Sequence, residues 1–314
     1  MAEAKKLRIA FSMIFYPVAM GRYILDALIR RKDVEVWSVG PYTGRWIPWG
    51  GGMNLLEEYV FKPNVILPLG GPPTIAYATL QPPWEPDLWI EANAALNSIG
   101  RPKCKYAVVA TDPHVVDYRN QRANADLFFN MQKPYMQAGD IWLPYAYDPI
   151  HHAQTTVPWE RRQWDASLLG LQYESRIALV NALRARGRQV HFRLGPAYEE
   201  ARSIYHDTRV GLNWSSAQDT TARVFELMAF GLPSVLNRVP DLVEMFKDGE
   251  HFLGFSSLPE AVGAVERLLA DPDFAVAMGH AAREAVRPHT WDARVHTILQ
   301  AAGLVSEDVV PDPL

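Results

Sequence analysis

The chain has 314 residues, 48% hydrophobic and 21% charged, with a formal net charge of −4 and a single cysteine, Cys104. That mixture excludes an intrinsically disordered chain, and one thiol excludes both an intramolecular disulfide and a cysteine-built zinc site. Residues 1–150 carry 15 basic and 14 acidic side chains and the remainder 16 and 21, so neither half is the basic surface that non-specific nucleic-acid binding requires.

Taken in chain order, the polar start Met1–Arg8 leads into a short apolar run with no small-residue cleavage site and no stretch of about 20 apolar residues. The expectation is a cytoplasmic protein without a membrane span. Short apolar runs at Arg8–Phe15, Val34–Val39, Val65–Leu69, Leu88–Ala92, Tyr106–Ala110, Leu127–Asn130 and Ile141–Pro144 suit parallel strands buried on both faces. Between the first two, Gly21–Arg31 places Ile24, Leu25, Leu28 and Ile29 at helical spacing, which gives the strand, glycine turn, helix and strand of a doubly wound fold. Prolines and glycines break residues 41–86, where Trp46, Trp49 and Trp84 are candidates either to line an acceptor pocket or to cover a sheet edge.

Beyond Pro158 the alternation resumes. Strands are predicted at Trp164–Gly170, Val190–Leu194, Val210–Trp214, Ser234–Leu236 and near His251–Phe255, with helices at Tyr173–Arg186, Tyr198–His206, Thr220–Phe230 and Asp241–Phe246. Helices Leu258–Ala270, Phe274–Arg287 and Trp291–Ala302 close the chain before an acidic tail. Since the length exceeds the roughly 100 to 200 residues of one domain, two facing Rossmann-like domains are expected, over 1–153 and 154–303, with a loose tail at 304–314.

The densest chemical signal is Asn213–Pro233, a strand end, a polar turn, an amphipathic helix and a Gly-Leu-Pro stop. Asp219, Thr220 and Thr221 fall at the helix start, where unpaired N–H groups and the helix dipole attract an anion such as a diphosphate. Arg223 and Glu226, three apart, share a helix face and can address phosphate and sugar hydroxyls; the blander alternative is a capped helix with a solvated ion pair. In the first half Thr111-Asp-Pro-His114 follows a strand, so Asp112 and His114 are acceptor-side catalytic candidates at the carboxyl end of a parallel sheet. The turn from Tyr16 to Arg22 contains Gly21, a residue that lets backbone approach a phosphate. Asp271-Pro-Asp273 reads as a helix-capping turn rather than a metal motif, and His151 and His152 read as surface residues of the linker.

Gly170 with Tyr173 and Arg176, then Asn213, Arg223-Val-Phe-Glu226, Ala229, Gly231, Pro233 and His289–Arg294 resemble the CgeB-like spore-protein glycosyltransferases over about 165–300. The resemblance implies an α/β GT-B fold related to the retaining glycosyltransferases, with a glutamate-x7-glutamate motif whose second member is Glu226 and whose first position is occupied here by Gln218. It implies that Arg176 reaches the donor phosphates, with Tyr173 supporting it or the base, and that His289–Arg294 marks the closing helix. The expected activity is transfer of a sugar from a nucleotide-diphosphate sugar to an unidentified hydroxyl, with retention, without a metal and without a further cofactor. A nucleotide-sugar epimerase and a non-catalytic nucleotide-sugar-binding protein are the alternatives. A phosphorylase needs a pyridoxal lysine, and the second half has only Lys247.

Overall fold

The computed structural model describes residues 6–47, 53–54, 62–196, 198–215 and 217–306. Trp49, the Gly50–Gly52 run and residues 307–314 of the expected tail lie outside the described residues. Contacts divide the chain into two compact units, one of residues 1–144 with 291–313 and one of 145–290.

In the first unit all seven strands expected from the apolar runs form one sheet. They are β1 (Leu7–Ser12), β2 (Val34–Pro41), β3 (Val65–Leu67), β4 (Leu88–Asn93), β5 (Tyr106–Ala110), β6 (Leu127–Asn130) and β7 (Ile141–Trp142), in the spatial order β7-β6-β5-β4-β1-β2-β3. Every pairing is parallel. Each residue of β4 and β5 is buried, which is why these segments read as continuous rather than alternating hydrophobic runs. Helix α1 (Gly21–Arg30) buries Ile24, Leu25, Ala27 and Leu28, while Ile29 is 54% exposed and lies off the face to which its spacing assigned it. A short helix α2 (Arg119–Asn124) precedes β6, and three-residue strands Thr74–Ala76 and Asn97–Ile99 pair with each other; neither feature is signalled by an apolar run.

The closing helix Trp291–Ala301, expected in the second half, groups with the first unit. Trp291 is fully buried and stacked on Tyr23 of α1, with ring centroids 6.2 Å apart, and Arg30 grips Asp292 through Nε and Nη2 at 3.2 and 2.8 Å. Burial of that indole outweighs proximity in sequence.

One buried residue of β4 is an acid. Glu91 accepts hydrogen bonds from Tyr106 Oη (2.8 Å), Ser98 Oγ (2.7 Å), Asn93 Nδ2 (2.6 Å) and the Tyr77 hydroxyl. Burial first, and then the adjacent acid, push both phenols well above their ordinary pKa, so they stay protonated and donate. Replacing Glu91 by leucine leaves four enclosed donors without this acceptor and is expected to destabilise by on the order of 3 kcal/mol, read as a lower urea midpoint with an unchanged slope.

The second unit holds a five-stranded, wholly parallel sheet of β8 (Trp164–Leu169), β9 (Val190–Arg193), β10 (Thr208–Asn213), β11 (Ser234–Asn237) and β12 (Leu253–Phe255) in the order β9-β8-β10-β11-β12. Its helices are α3 (Glu174–Arg184), α4 (Tyr198–His206), α5 (Ala222–Ala229), α6 (Pro240–Met245), α7 (Leu258–Ala270) and α8 (Pro272–Val286). The Asp271 carboxylate accepts the N–H of Phe274 at 3.1 Å, the capping expected of the Asp-Pro-Asp turn. Among the described residues no helix is long and apolar enough to cross a membrane.

Candidate functional site

The carboxyl ends of β8 and β10 bring together the residues singled out in the second half. Arg176, on the first turn of α3, is only 4% exposed. Its Nε donates to the Trp214 carbonyl (2.7 Å), Nη1 to the Leu171 carbonyl (2.9 Å) and Nη2 to Asn213 Oδ1 (3.4 Å). Arg223, on the first turn of α5, donates through Nη1 to that same Asn213 oxygen at 2.9 Å. Two guanidinium groups therefore share one neutral acceptor on a side chain that is 1% exposed.

Gly170 makes room for this pair. It ends β8 with φ +130°, and a Cβ there would lie 2.4 Å from Arg223 Nη2 and 3.6 Å from Arg176 Nη1. Tyr173, at the start of α3, lays its ring under the Arg176 guanidinium at 4.8 Å and is 38% exposed. Burial, with the neighbouring positive charge of Arg223, pulls Arg176 down to about 10, which leaves it charged at neutral pH.

Helix α5 begins at Ala222, two residues later than expected, with Thr221 in the cap position but no side-chain capping bond. The backbone N–H groups of Thr221, Ala222 and Arg223 have no acceptor among the described residues, and Thr221 Oγ1 is enclosed without a hydrogen-bond partner. Asp219 turns back to accept the Ala217 N–H at 3.1 Å, Thr220 is 2% exposed, and Gln218 is exposed at the surface of the turn.

The surface ion pair offered as the plain alternative for Arg223 and Glu226 is absent among the described residues. Arg223 turns to Asn213, while Glu226 Oε1 lies 3.8 Å from His152 Nε2. Burial pushes the Glu226 carboxyl above its ordinary range, and the Arg223 charge pulls it partly back.

Two residues of this neighbourhood are additions to the sequence reading. His152, expected at the surface, is 8% exposed, because its segment folds onto α4 and α5. Tyr205 of α4 is 3% exposed, and its phenol is raised by burial and by Glu226 and lowered by Arg223. A lone tyrosine in an amphipathic helix reads as core, so only the fold exposes its place beside the charged pair.

In the first unit Asp112 and His114 follow β5, at the carboxyl end of the sheet as expected. Thr111 Oγ1 donates to Asp112 Oδ2 at 2.5 Å, and the His114 ring is tilted against Tyr135 at 5.9 Å with its Nδ1 enclosed and unpartnered among the described residues. Gly21 serves packing: a Cβ on it would lie 2.7 Å from Ala92 Cβ and 2.8 Å from Met13 Sδ, so its bareness lets α1 sit on the sheet. A small hollow beside it is lined by Phe15, Tyr16, Arg22 and Tyr42. Trp84 packs against the sheet core under Arg8, near the amino end of β1, which suits the covering role rather than an acceptor pocket at the carboxyl ends. Lys247 is exposed and paired with Glu250 at 3.3 Å.

Residues 154–300 match a protein-family model described as glycosyl transferase-like. Comparison by sequence with curated proteins gives no match. Among solved structures, the chain is similar to HepE (Alr3699) of Anabaena in complex with UDP-glucose, at TM-score 0.64 and 11% identity over 95% of this chain and 100% of that one. It is also similar to sucrose-phosphate synthase from Thermosynechococcus elongatus, at TM-score 0.60 and 14% identity over 94% and 98% of the two chains. A UDP-N-acetylglucosamine 2-epimerase aligns at TM-score 0.53 and 12% identity over 99% and 100%. At such identities the likeness is one of fold. The fold is the α/β GT-B class, with two Rossmann-like domains, as the sequence implied.

Proposed function

We propose that the chain is a glycosyltransferase that moves a sugar from a nucleoside-diphosphate sugar to an acceptor hydroxyl, with retention and without a metal, cytoplasmic and of the CgeB-like kind. The observation that carries this reading is the Arg176–Arg223 pair. The buried Arg176 and the half-buried Arg223 converge on one amide oxygen, and among the described residues neither has a carboxylate within ion-pair distance. Adjacent charges of one sign attract a counter-charge beyond the nearby carboxylates of Asp219 and Glu226, and a diphosphate bound against both guanidinium forks and the N–H groups that open α5 supplies it.

In this reading the two guanidinium groups take up the negative charge that grows on the leaving diphosphate, which is the stabilisation transfer needs most. They supply positive charge that a divalent cation would otherwise bring. Tyr173 holds Arg176 by its ring face, Asn213 sets the spacing of the two forks, and Glu226 accepts from the ribose hydroxyls. Asp112 and His114, at the carboxyl end of the first sheet, are the proposed groups on the acceptor side. Fold alone does not select transfer over epimerisation, since an epimerase shares it. Incubation with a panel of nucleotide sugars and NMR analysis of the products separates them: a new glycoside or released sugar supports the transferase, and an isomerised nucleotide sugar with no transfer refutes it.

The raised Glu226 carboxyl gives a pH dependence. Ribose hydroxyls donate best to the ionised form, so nucleotide affinity is expected to fall on acidification at a pH above the ~4.3 of an exposed glutamate. The effect on the fold has the opposite sign. A raised carboxyl contributes stability that is present in full below its unfolded pKa and is lost as the pH rises through the folded one. Titration calorimetry across this range checks the first statement; an affinity step that persists unchanged in Glu226→Gln contradicts it.

A further inference from the structure

Residues 148–155 lie against the donor-side helices and are pinned at several points. Asp148 Oδ1 accepts the N–H groups of Ile150 (2.9 Å) and His151 (3.1 Å), Arg202 Nε donates to the His151 carbonyl (3.1 Å), and Thr155 N donates to the Phe230 carbonyl (3.1 Å). Held in this segment, the His152 ring meets the Phe230 ring edge-on at 5.6 Å. Its Nδ1 accepts the Asp148 N–H at 2.9 Å. A ring nitrogen that accepts carries no proton, so the neutral imidazole has its N–H on Nε2, and Nε2 is the atom 3.8 Å from Glu226 Oε1.

We propose that His152 is a positioning residue for the nucleotide: its Nε2–H lies 3.8 Å from one oxygen of Glu226, longer than a hydrogen bond, and attracts that oxygen electrostatically, so that the carboxylate presents the other to the ribose. This rests on the reading that Glu226 binds ribose. The arrangement resembles the way a second group fixes the orientation of a ligating side chain: one hydrogen bond selects the tautomer, and the opposite N–H does the aiming at longer range. Arg223 and Tyr205 act on Glu226 electrostatically from α5 and α4, but the described residues give it no hydrogen bond from either. Without His152, Glu226 loses the neighbouring N–H that favours this orientation.

Two substitutions divide the two jobs of the ring. His152→Asn keeps an acceptor near the Nδ1 position for the Asp148 N–H but has no donor toward Glu226. His152→Gln carries an amide N–H near the Nε2 position and gives up that acceptor. The full chain is titrated with ADP, GDP, CDP and UDP, each against its 2′,3′-dideoxy counterpart. Wild type is expected to prefer the ribose form of the best-bound nucleotide by about tenfold, His152→Asn to lose most of that preference, and His152→Gln to keep it within about twofold. Binding of the dideoxy forms is expected to change little in either variant.

A His152→Asn variant that retains the wild-type preference overturns this inference and leaves the proposed function standing. Absence of binding by all four nucleotides in wild type overturns the proposed function, and this inference with it. If His152→Asn does not fold, imidazole nitrogen NMR of wild type decides: an Nε2–H tautomer whose Nε2 signal moves in Glu226→Gln supports the proposal, and an Nδ1–H tautomer sinks it.

Discussion

Arg176→Ala is expected to lower nucleotide-diphosphate affinity by about a hundredfold or more, the scale of losing a charge-assisted, forked contact to an enclosed anion. Arg176 touches three acceptors, the carbonyls of Leu171 and Trp214 and the oxygen of Asn213, and its removal leaves Arg223 as the sole cation on Asn213. Orphaned carbonyls add a stability cost of about 1–3 kcal/mol. Arg176→Lys separates the two effects: it keeps the charge but cannot reach all three acceptors, so it should fold nearly as well as wild type and still bind weakly. Titration calorimetry and a melting curve on the same samples read both quantities. Wild-type affinity in Arg176→Ala would remove Arg176 from the site.

Gly170→Val is the second large effect, and it acts without touching a charge. At φ +130° a β-branched residue is strained, which costs on the order of 1–3 kcal/mol. Its side chain must also enter space held by Arg223, whose Nη2 lies 2.4 Å from where even the Cβ would stand. Moving that guanidinium breaks the shared contact on Asn213. Affinity should therefore fall as far as in Arg223→Ala, with a lower melting temperature in addition. A Gly170→Val protein that binds like wild type would mean that Arg223 can leave Asn213 without consequence.

Much of the fold is legible in the sequence because a parallel strand covered on both faces needs no alternation. Tyr106–Ala110 and Leu127–Asn130 are bounded in the structure where their apolar runs end. The strand pair Thr74–Ala76 with Asn97–Ile99 is illegible for the complementary reason, since a three-residue strand with one buried residue carries no period. The closing helix groups with the first unit although it follows the second in sequence, because chain order is a poor guide when one indole decides. Trp291 finds its stacking partner in Tyr23, a residue that no local pattern connects to it.

The candidate site divides in the same way. Asn213, Arg176 and Arg223 stand at strand ends and first helical turns, positions that spacing and resemblance identify directly. His152 and Tyr205 do not. A histidine in a proline-bearing linker looks solvated, and a tyrosine on the face of an amphipathic helix looks like core; both acquire their meaning only when 148–155 folds back on α4 and α5. Glu91 is a further case, an acid inside a strand that reads as apolar, made tolerable by four donors of which two are distant tyrosines.

The most direct test is a thermal-shift comparison of wild type with the Arg176→Ala, Arg223→Ala double variant in the presence of ADP, GDP, CDP and UDP. At about 100 times its dissociation constant a bound nucleotide stabilises by about 2.7 kcal/mol. The predicted result is that at least one of the four raises the wild-type midpoint and leaves that of the double variant in place. Equal stabilisation of both proteins, or none of wild type by any of the four, contradicts the assignment of the guanidinium pair to a diphosphate.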